Sequence, residues 1–454
     1  MKNLSLKNIA IAVNGELYNG NEFLNCEIEG VVIDSRLVKE KYLFIAVKGQ
    51  KVDGHDFIND VFEKGAICVI SEKKLETDKP YIFVESSLVA LKQLAKFYRQ
   101  QLDIKIIGIT GSVGKTSTKE FIATVLSEKY NVYKTKGNFN NEIGLPLTVL
   151  GIRNEHEVAV LEMGISDFGE MSRLSEIANP NVCVITNIGI CHLENLKDRD
   201  GILKAKTEMF DYAADGFVTV LNGDDDKLFS LKQVGNKRPY YTGIDKKYDC
   251  YAKNIEDLGI LGTKCDISME TDIFNVYIKI PGVHMVRNAL TAAMVGKILG
   301  LDNYMIKEGL EKIVDAAGRV NIIKKECTII DDCYNANPVS MKASLDLLSK
   351  TEGRTIAVIG DMYELGKDER DYHIEIGKYA ADKNINCFFV TGKFKDEVVK
   401  GIKSSENFEN ISLFIFDNND DLIYNIKKFV ENGDVILIKA SHSMNFEKLV
   451  ESLK

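Results

Sequence analysis

The chain has 454 residues, 45% of them hydrophobic and 28% charged, and its 58 Lys and Arg against 67 Asp and Glu leave a formal charge of −9. This is too long for one core, so roughly two to four domains are expected. The acidic balance, with no long Lys/Arg run, excludes a nucleic-acid-binding face, and any anionic ligand has to be met locally.

The nine cysteines are scattered from Cys26 to Cys387 without C-x-x-C pairs or metal-type spacing, which reads as reduced, mostly buried thiols. The start, MKNLSLKNIAIAVNG, has only a short apolar stretch and no small-residue cleavage site, and no later run reaches spanning length. A cytoplasmic protein without membrane insertion is expected.

Up to Asp103 the chain shows short β-like runs (GVVIDS, YLFIAV, AICVIS, YIFVES) around turns such as KGQKVDGHD, then a helical stretch, LVALKQLAKFYRQQ. Next, the apolar run IKIIGIT breaks into GSVGKTS and continues as the amphipathic STKEFIATVLSEKY. Buried strand, glycine-rich turn and helix in that order make a phosphate-binding loop, formed by Gly111, Ser112, Val113, Gly114, Lys115, Thr116 and Ser117. The glycines let backbone N–H groups close on phosphate oxygens, Lys115 adds a mobile cation, and the Thr116 hydroxyl can ligate the Mg²⁺ that accompanies a nucleoside triphosphate. The spacing departs from the commonest pattern, because Ile109 stands where a glycine is expected, leaving T-G-x-x-G-K-T. A merely structural glycine turn is the alternative, and the flanking strand and helix argue against it.

Further buried-strand runs, VAVLEMG, NVCVITNIG and FVTVLNGDDD, alternate with helical sequence, which predicts an α/β domain with a mainly parallel sheet and its chemistry at the strand C-terminal ends. Glu162 closes the first of these runs, Asn187 the second, and His192 follows in NIGICHLE. Each is weak alone. Mg²⁺ held by a loop hydroxyl usually needs a carboxylate from a neighbouring strand, and Glu162 leads for that part. Lys204 and Lys206 in ILKAKTEMF are odd near divalent cations, although surface lysines on a helix would need no explanation. After NYMIKEGLEKIVDAAG a third set of runs (CTIIDDCYN, TIAVIGDM, CFFVTG, DVILIKAS) reads as a smaller nucleotide-binding-like α/β domain. The expected domains are 1–103, 104–317 and 318–454.

TGSVGKTSTKE, NFNNEIGLPLT, LEMG, TNIG with His192, AKTE, LNGDDD, HMVRNAL, AGR, DDCYNANPVSM, GDMYELG and VILIKASHSM occur in the order and spacing of the Mur ligases, which the chain resembles over essentially its whole length. The resemblance implies an N-terminal uridine-nucleotide-binding α/β domain, a central P-loop ATPase-like domain and a C-terminal Rossmann-like domain. It also implies an enzyme that forms amide bonds with ATP through an acyl phosphate in peptidoglycan precursor synthesis. NFNNEIGLP and DDCYNANP narrow the step to joining D-alanyl-D-alanine to a UDP-N-acetylmuramoyl-tripeptide, by a monomer. Whether the tripeptide ends in diaminopimelate or lysine stays open.

Matched position by position, the resemblance implies Lys115 and Thr116 on the triphosphate, and two Mg²⁺ ions held by Thr116, Glu162, His192 and a side-chain-carbamylated Lys206. A carbamate would explain the odd lysine, because nearby cations depress the amine's pKa and the neutral amine takes up CO₂. Asn288, Arg319 and Asp332 match nucleotide contacts, Ser35, Arg36 and Lys48 the uridine-diphosphate end. Asn138, Asn140, Asn141, Tyr334, Asn335, Lys439 and Ser441 match substrate positions. His442 stands where the family has an arginine, and imidazole offers no bidentate fork. Two other classes compete. Folylpolyglutamate synthase shares the later domains but lacks a uridine-binding first domain, and a P-loop kinase or nucleotide switch would explain the loop and Glu162 alone.

Overall fold

The computed structural model describes residues 1–191, 193–244, 246–313 and 321–454. The expected sites His192 and Arg319 lie outside them. The chain is α/β with three sheets, met in sequence order.

The first sheet contains β1 (Glu16–Tyr18), β2 (Gly30–Val32), β3 (Tyr42–Ile45), β4 (Cys68–Ser71) and β5 (Tyr81–Phe83), in the order β1-β5-β4-β3-β2. Only the β1–β5 pair is antiparallel. Phe44, Val69 and Tyr81 lie in one apolar cluster with Val38, Ile58 and Val61, and Tyr18 stacks on Tyr81 at 4.9 Å.

The second sheet has nine strands: β6 (Lys105–Thr110), β7 (Val132–Lys134), β8 (Val158–Glu162), β9 (Val182–Ile185), β10 (Val218–Asn222), β11 (Tyr240–Gly243), β12 (Cys250–Asp257), β13 (Thr263–Met269) and β14 (Asp272–Ile278). Their order is β14-β13-β12-β11-β10-β9-β6-β8-β7. β6, β8 and β9 are apolar almost throughout and buried, as parallel strands covered on both faces must be. The outer β12, β13 and β14 pair antiparallel, and β12 and β14 are half-exposed. Alternating polar and apolar residues give them no continuous hydrophobic run, which is why a search for buried runs passes over them.

The third sheet runs β15 (Asn321–Lys324), β16 (Thr328–Asp331), β20 (Val435–Lys439), β17 (Thr355–Ile359), β18 (Cys387–Thr391), β19 (Ser412–Phe416), parallel except at β15. Strand alternation builds two cores here. Ile330, Ala357, Ile359, Phe388 and Leu437 face Met341, Leu345 and Ile376 on one side. Their sequence neighbours Ile329, Ile356, Val358, Phe389, Ile436 and Ile438 face Leu422, Ile426 and Leu449 on the other. Each fully buried Ile, Leu or Phe of this kind contributes about 1.5–3 kcal/mol.

Two compact units can be distinguished: Met1–Thr110 with Tyr130–Val184 and Ala205–Thr219, and Gly111–Lys129 with Ile185–Lys204 and Val220–Lys454. In the second, the helix that follows the glycine loop, Lys115–Leu126, packs on the helices His284–Ile298 and Asn303–Lys312. Gly309 permits that approach, since a Cβ there would lie 2.6 Å from Val125 Cα. No helix among the described residues is long and apolar enough to cross a membrane.

Candidate active site

β6 runs directly into the loop 111–114 and then the helix Lys115–Leu126, as the sequence predicts. Gly114 caps that helix at φ +80°, in the left-handed region, and no side chain caps it. A helix N-terminus of this kind favours an anion, through its first-turn N–H groups and its dipole. Gly111 has no substitute, because an added Cβ would lie 1.9 Å from Thr186 Oγ1. Lys115 Nζ folds back to donate to Gly111 O at 2.8 Å, and Thr116 and Ser117 are buried in the first helical turn.

In the first unit, Glu162 ends β8 in register with Ile109 of β6 and is 2% exposed. Its N–H donates to Thr135 Oγ1 at 3.0 Å, and its Oε1 accepts from Asn140 Nδ2 at 2.9 Å. Asn138 accepts Asn140 N–H through its carbonyl at 2.7 Å. Asn141 acts locally: its Oδ1 accepts from Ile143 and Gly144 N–H at 3.1 and 2.8 Å, satisfying donors at the start of the helix Gly144–Leu150. Glu142 between them takes ion pairs from Arg173 and Lys92, which hold its carboxyl below the usual range. Lys206 is 1% exposed whereas Lys204 is exposed, so the two lysines of ILKAKTEMF part company, and the surface reading fits only Lys204.

In the second unit a cleft of about 420 Å³ brings Ser112–Lys115 and Ser117 together with Asn187, Asn288, Asp332, Asn335 and Lys439. Asn288 Oδ1 accepts from Thr118 Oγ1 at 3.1 Å. Lys439, 1% exposed, donates to Asp332 Oδ2 at 2.5 Å and Asn335 O at 3.1 Å, and Ser344 Oγ donates to the same carboxylate at 2.6 Å. Its ammonium is therefore committed to the 332–335 loop. That loop leads into the helix Pro338–Leu348, started by a reciprocal Asn337–Ser340 capping box with Pro338 in the first turn. Ser441 lies outside the cleft lining; its Oγ accepts from Tyr363 N–H at 3.0 Å. Tyr334 meets the His442 ring at 5.8 Å, and His442 is otherwise exposed beside Glu447.

Of the uridine-end candidates, Arg36 is exposed and paired with Asp34, whose carboxyl it holds at about 2 by hydrogen bonding. The Ser35 carbonyl accepts from Lys64 Nζ, and Lys48 is exposed.

The cleft also holds residues that sequence reasoning did not single out. Arg287 Nε donates to the buried Asp224 at 2.7 Å, and Ile244 N–H donates to the same carboxylate at 2.9 Å. His284 keeps solvent contact, yet the protein around it pushes its pKa below the usual imidazole value. LNGDDD at the end of β10 and HMVRNAL carried the signal, since acidic residues just past a strand end in an α/β sheet mark the functional edge. Among the described residues no group of three or more His, Cys, Asp and Glu side chains stands ready for a metal.

Three family profiles match the chain: the Mur ligase family catalytic domain at 27–99, the Mur ligase middle domain at 109–296 and the Mur ligase glutamate ligase domain at 318–442. The UDP-N-acetylmuramoyl-tripeptide–D-alanyl-D-alanine ligase of Bacillus subtilis is 38% identical, over 99% of this chain and 98% of that protein. A crystal structure of MurF from Acinetobacter baumannii superposes with a TM-score of 0.89 at 30% identity, covering 99% of this chain and 98% of that one. The Thermotoga maritima MurF ligase in complex with ADP gives 0.79 at 30% identity, over 93% and 96%. With profiles over most of its length and a relative this similar over nearly all of it, the chain belongs to the Mur ligase family.

Proposed function

We propose that the chain joins D-alanyl-D-alanine to UDP-N-acetylmuramoyl-tripeptide at the expense of ATP, releasing ADP and phosphate, as the last ligase step before the peptidoglycan precursor leaves the cytoplasm. The observation that carries this reading is the whole-length likeness to ligases named for that reaction, at 38% identity in the Bacillus subtilis case. The reading includes domains at 1–103, 104–317 and 318–454, a cytoplasmic location and a monomer.

A carboxylate does not react with an amine, so the tripeptide's terminal carboxylate first takes the γ-phosphoryl group of ATP and ADP leaves. The amine of D-alanyl-D-alanine then attacks the acyl carbon, the C–N bond forms, the C–O bond to phosphate breaks, and the amine gives up a proton. Transfer between two anions needs charge neutralisation and alignment.

The residues fit a nucleotide triphosphate. Gly111 keeps the loop free of side-chain bulk, the helix start lacks a side-chain cap, and the Thr110 hydroxyl is buried just before the loop without a partner. Lys115 supplies a point charge to the transferring group, while loop N–H groups hold the phosphates. Asn288, Arg319 and Asp332 would take the nucleoside. Thr116, Glu162, His192 and carbamylated Lys206 would hold two Mg²⁺, whose preference for oxygen the hydroxyl, carboxylate and carbamate meet, with the imidazole adding a nitrogen. When bound, these ions neutralise the charge on the phosphoryl oxygens. Lys206 is 1% exposed, which sets it apart from an ordinary surface lysine and supports its part. Ser35, Arg36 and Lys48 would take the uridine diphosphate. Asn138, Asn140, Asn141, Tyr334, Asn335, Lys439 and Ser441 would line or shape the peptide path.

The test is ADP release in a crossed assay, pairing UDP-muramoyl tripeptides ending in diaminopimelate or lysine with D-alanyl-D-alanine or single amino acids. ADP should appear only when a tripeptide and D-alanyl-D-alanine are both present. ADP release with one acceptor alone would favour a kinase or switch and overturn the reading.

A further inference from the structure

The segment that follows β9 is bonded to the phosphate loop through Thr186, Asn187 and Gly189. Ser112 N–H donates to Asn187 O at 3.1 Å, and Gly189 N–H donates to Ser112 Oγ at 2.9 Å. Thr186 Oγ1 donates to Val113 O at 2.6 Å. At the centre, the Asn187 side chain pairs with both main-chain polar groups of one residue: Val113 N–H donates to its Oδ1 and its Nδ2 donates to Val113 O, each at 3.0 Å. The carboxamide acts here as a neighbouring strand would, giving one donor and one acceptor to residue 113.

This segment is anchored on its far side. Buried Ile188, next in the chain, donates its N–H to Asp225 Oδ2 at 2.8 Å and accepts from Arg199 Nε at 2.8 Å. Asp225 is tied down in turn, its Oδ1 accepting from Lys227 and Leu228 N–H at 3.0 and 3.1 Å. Arg199 is held by Asp226 at 2.5 Å. Both main-chain polar groups of Ile188 are thus gripped by charged side chains, and Ile188 carries Asn187.

We infer that Asn187 is the positioning residue of the phosphate loop, and that the Asp225–Ile188–Arg199 clamp behind it keeps the loop in its phosphate-binding shape before nucleotide arrives. The physical reason is preorganisation. A glycine-bearing loop has many accessible conformations, and each one removed beforehand is entropy that binding need not supply. Bonds to Asn187 hold Ser112 and Val113 in one arrangement at the edge of the cleft. The inference rests on the assignment of 111–117 to the ATP phosphates.

The test is calorimetric titration of the full-length protein with Mg-ADP, with steady-state kinetics alongside. Asn187→Ala should bind Mg-ADP about tenfold or more weakly, the effect of losing two hydrogen bonds that hold the loop. KM for ATP should rise in step, and KM for the UDP-muramoyl tripeptide should stay put. A merely structural asparagine would lower thermal stability and leave the nucleotide constants alone; that result overturns the inference. If Asn187→Ala does not fold, Arg199→Gln decides, since that side chain is 36% exposed and acts one step further out. A several-fold loss of Mg-ADP affinity in Arg199→Gln supports the chain of positioning, and an unchanged affinity overturns it. Wild-type protein that fails to bind Mg-ADP would count against the proposed function itself, a result distinct from equal binding by wild type and variant.

Discussion

Asn140 Nδ2 donates to Glu162 Oε1 at 2.9 Å, while the Asn140 main-chain carbonyl accepts from Gly164 N–H at 2.8 Å, so the chain just past β8 also anchors the residue that orients the glutamate. A carboxylate oriented by a neighbouring amide in this way suits ligation of a hard cation.

Asn140→Ala should therefore act through the metal. Activity at limiting Mg²⁺ should fall about tenfold to a hundredfold, the usual cost of losing a group that orients a ligand, and excess Mg²⁺ should recover much of it. A Mg²⁺ titration of the initial rate checks this. Wild-type Mg²⁺ dependence in the variant would leave Asn140 as a contact for substrate alone.

Lys115→Ala should lower kcat by about a hundredfold or more, because the transferring phosphoryl group loses its point charge. The fold should survive, since Lys115 is half-buried at the cleft and its ammonium donates to a loop carbonyl, Gly111 O. Circular dichroism with single-turnover rates separates the two effects.

Lys206→Ala should be inactive, and formate or acetate should restore part of the activity by occupying the ligand position of the carbamate. Lys204→Ala, at an exposed site, should stay within about 0.5 kcal/mol of wild type in stability and keep its turnover. Wild-type enzyme stripped of CO₂ at mildly acidic pH should lose activity and regain it with bicarbonate, because protonation of the free amine opposes carbamate formation. An active Lys206→Ala variant would end the carbamate assignment.

His373 gives the C-terminal sheet a pH dependence of known sign. Its Nε2 accepts from Met362 N–H at 2.9 Å and its Nδ1 donates to Glu369 O at 2.6 Å, so only the neutral ring satisfies both, and burial lowers its pKa. Unfolded chains then bind the proton first as pH falls below about 6.5. The stability this ring contributes is fully present above that value and is lost as pH falls through the lower folded value. Melting temperatures between pH 8 and 5 should drop more steeply in wild type than in His373→Gln. Parallel curves would show that the ring titrates alike in both states.

Strand, glycine turn and helix around residues 104–126 were legible from the sequence because each depends on neighbours: apolar runs, glycines at fixed offsets and helical periodicity. The parallel strands were legible for the same reason, being buried on both faces, and so was the α/β class. The motifs HMVRNAL and DDCYNANP likewise supply residues that line the cleft of the second unit, among them Asn288, Asp332 and Asn335. What the sequence could not settle are properties of single side chains that depend on partners far along the chain. Lys204 and Lys206 look alike in the sequence, and only packing buries one and exposes the other. Asn140 and Asn141 are adjacent, yet one reaches Glu162 across 22 positions and the other accepts from Ile143 and Gly144 N–H close by. Lys439 is bound to Asp332 across 107 positions, and Asn187 to Val113 across 74. Local pattern specifies secondary structure because its hydrogen bonds close within a few residues. Which polar group a side chain meets is decided when strands and helices come together, and that information exists only in the tertiary fold.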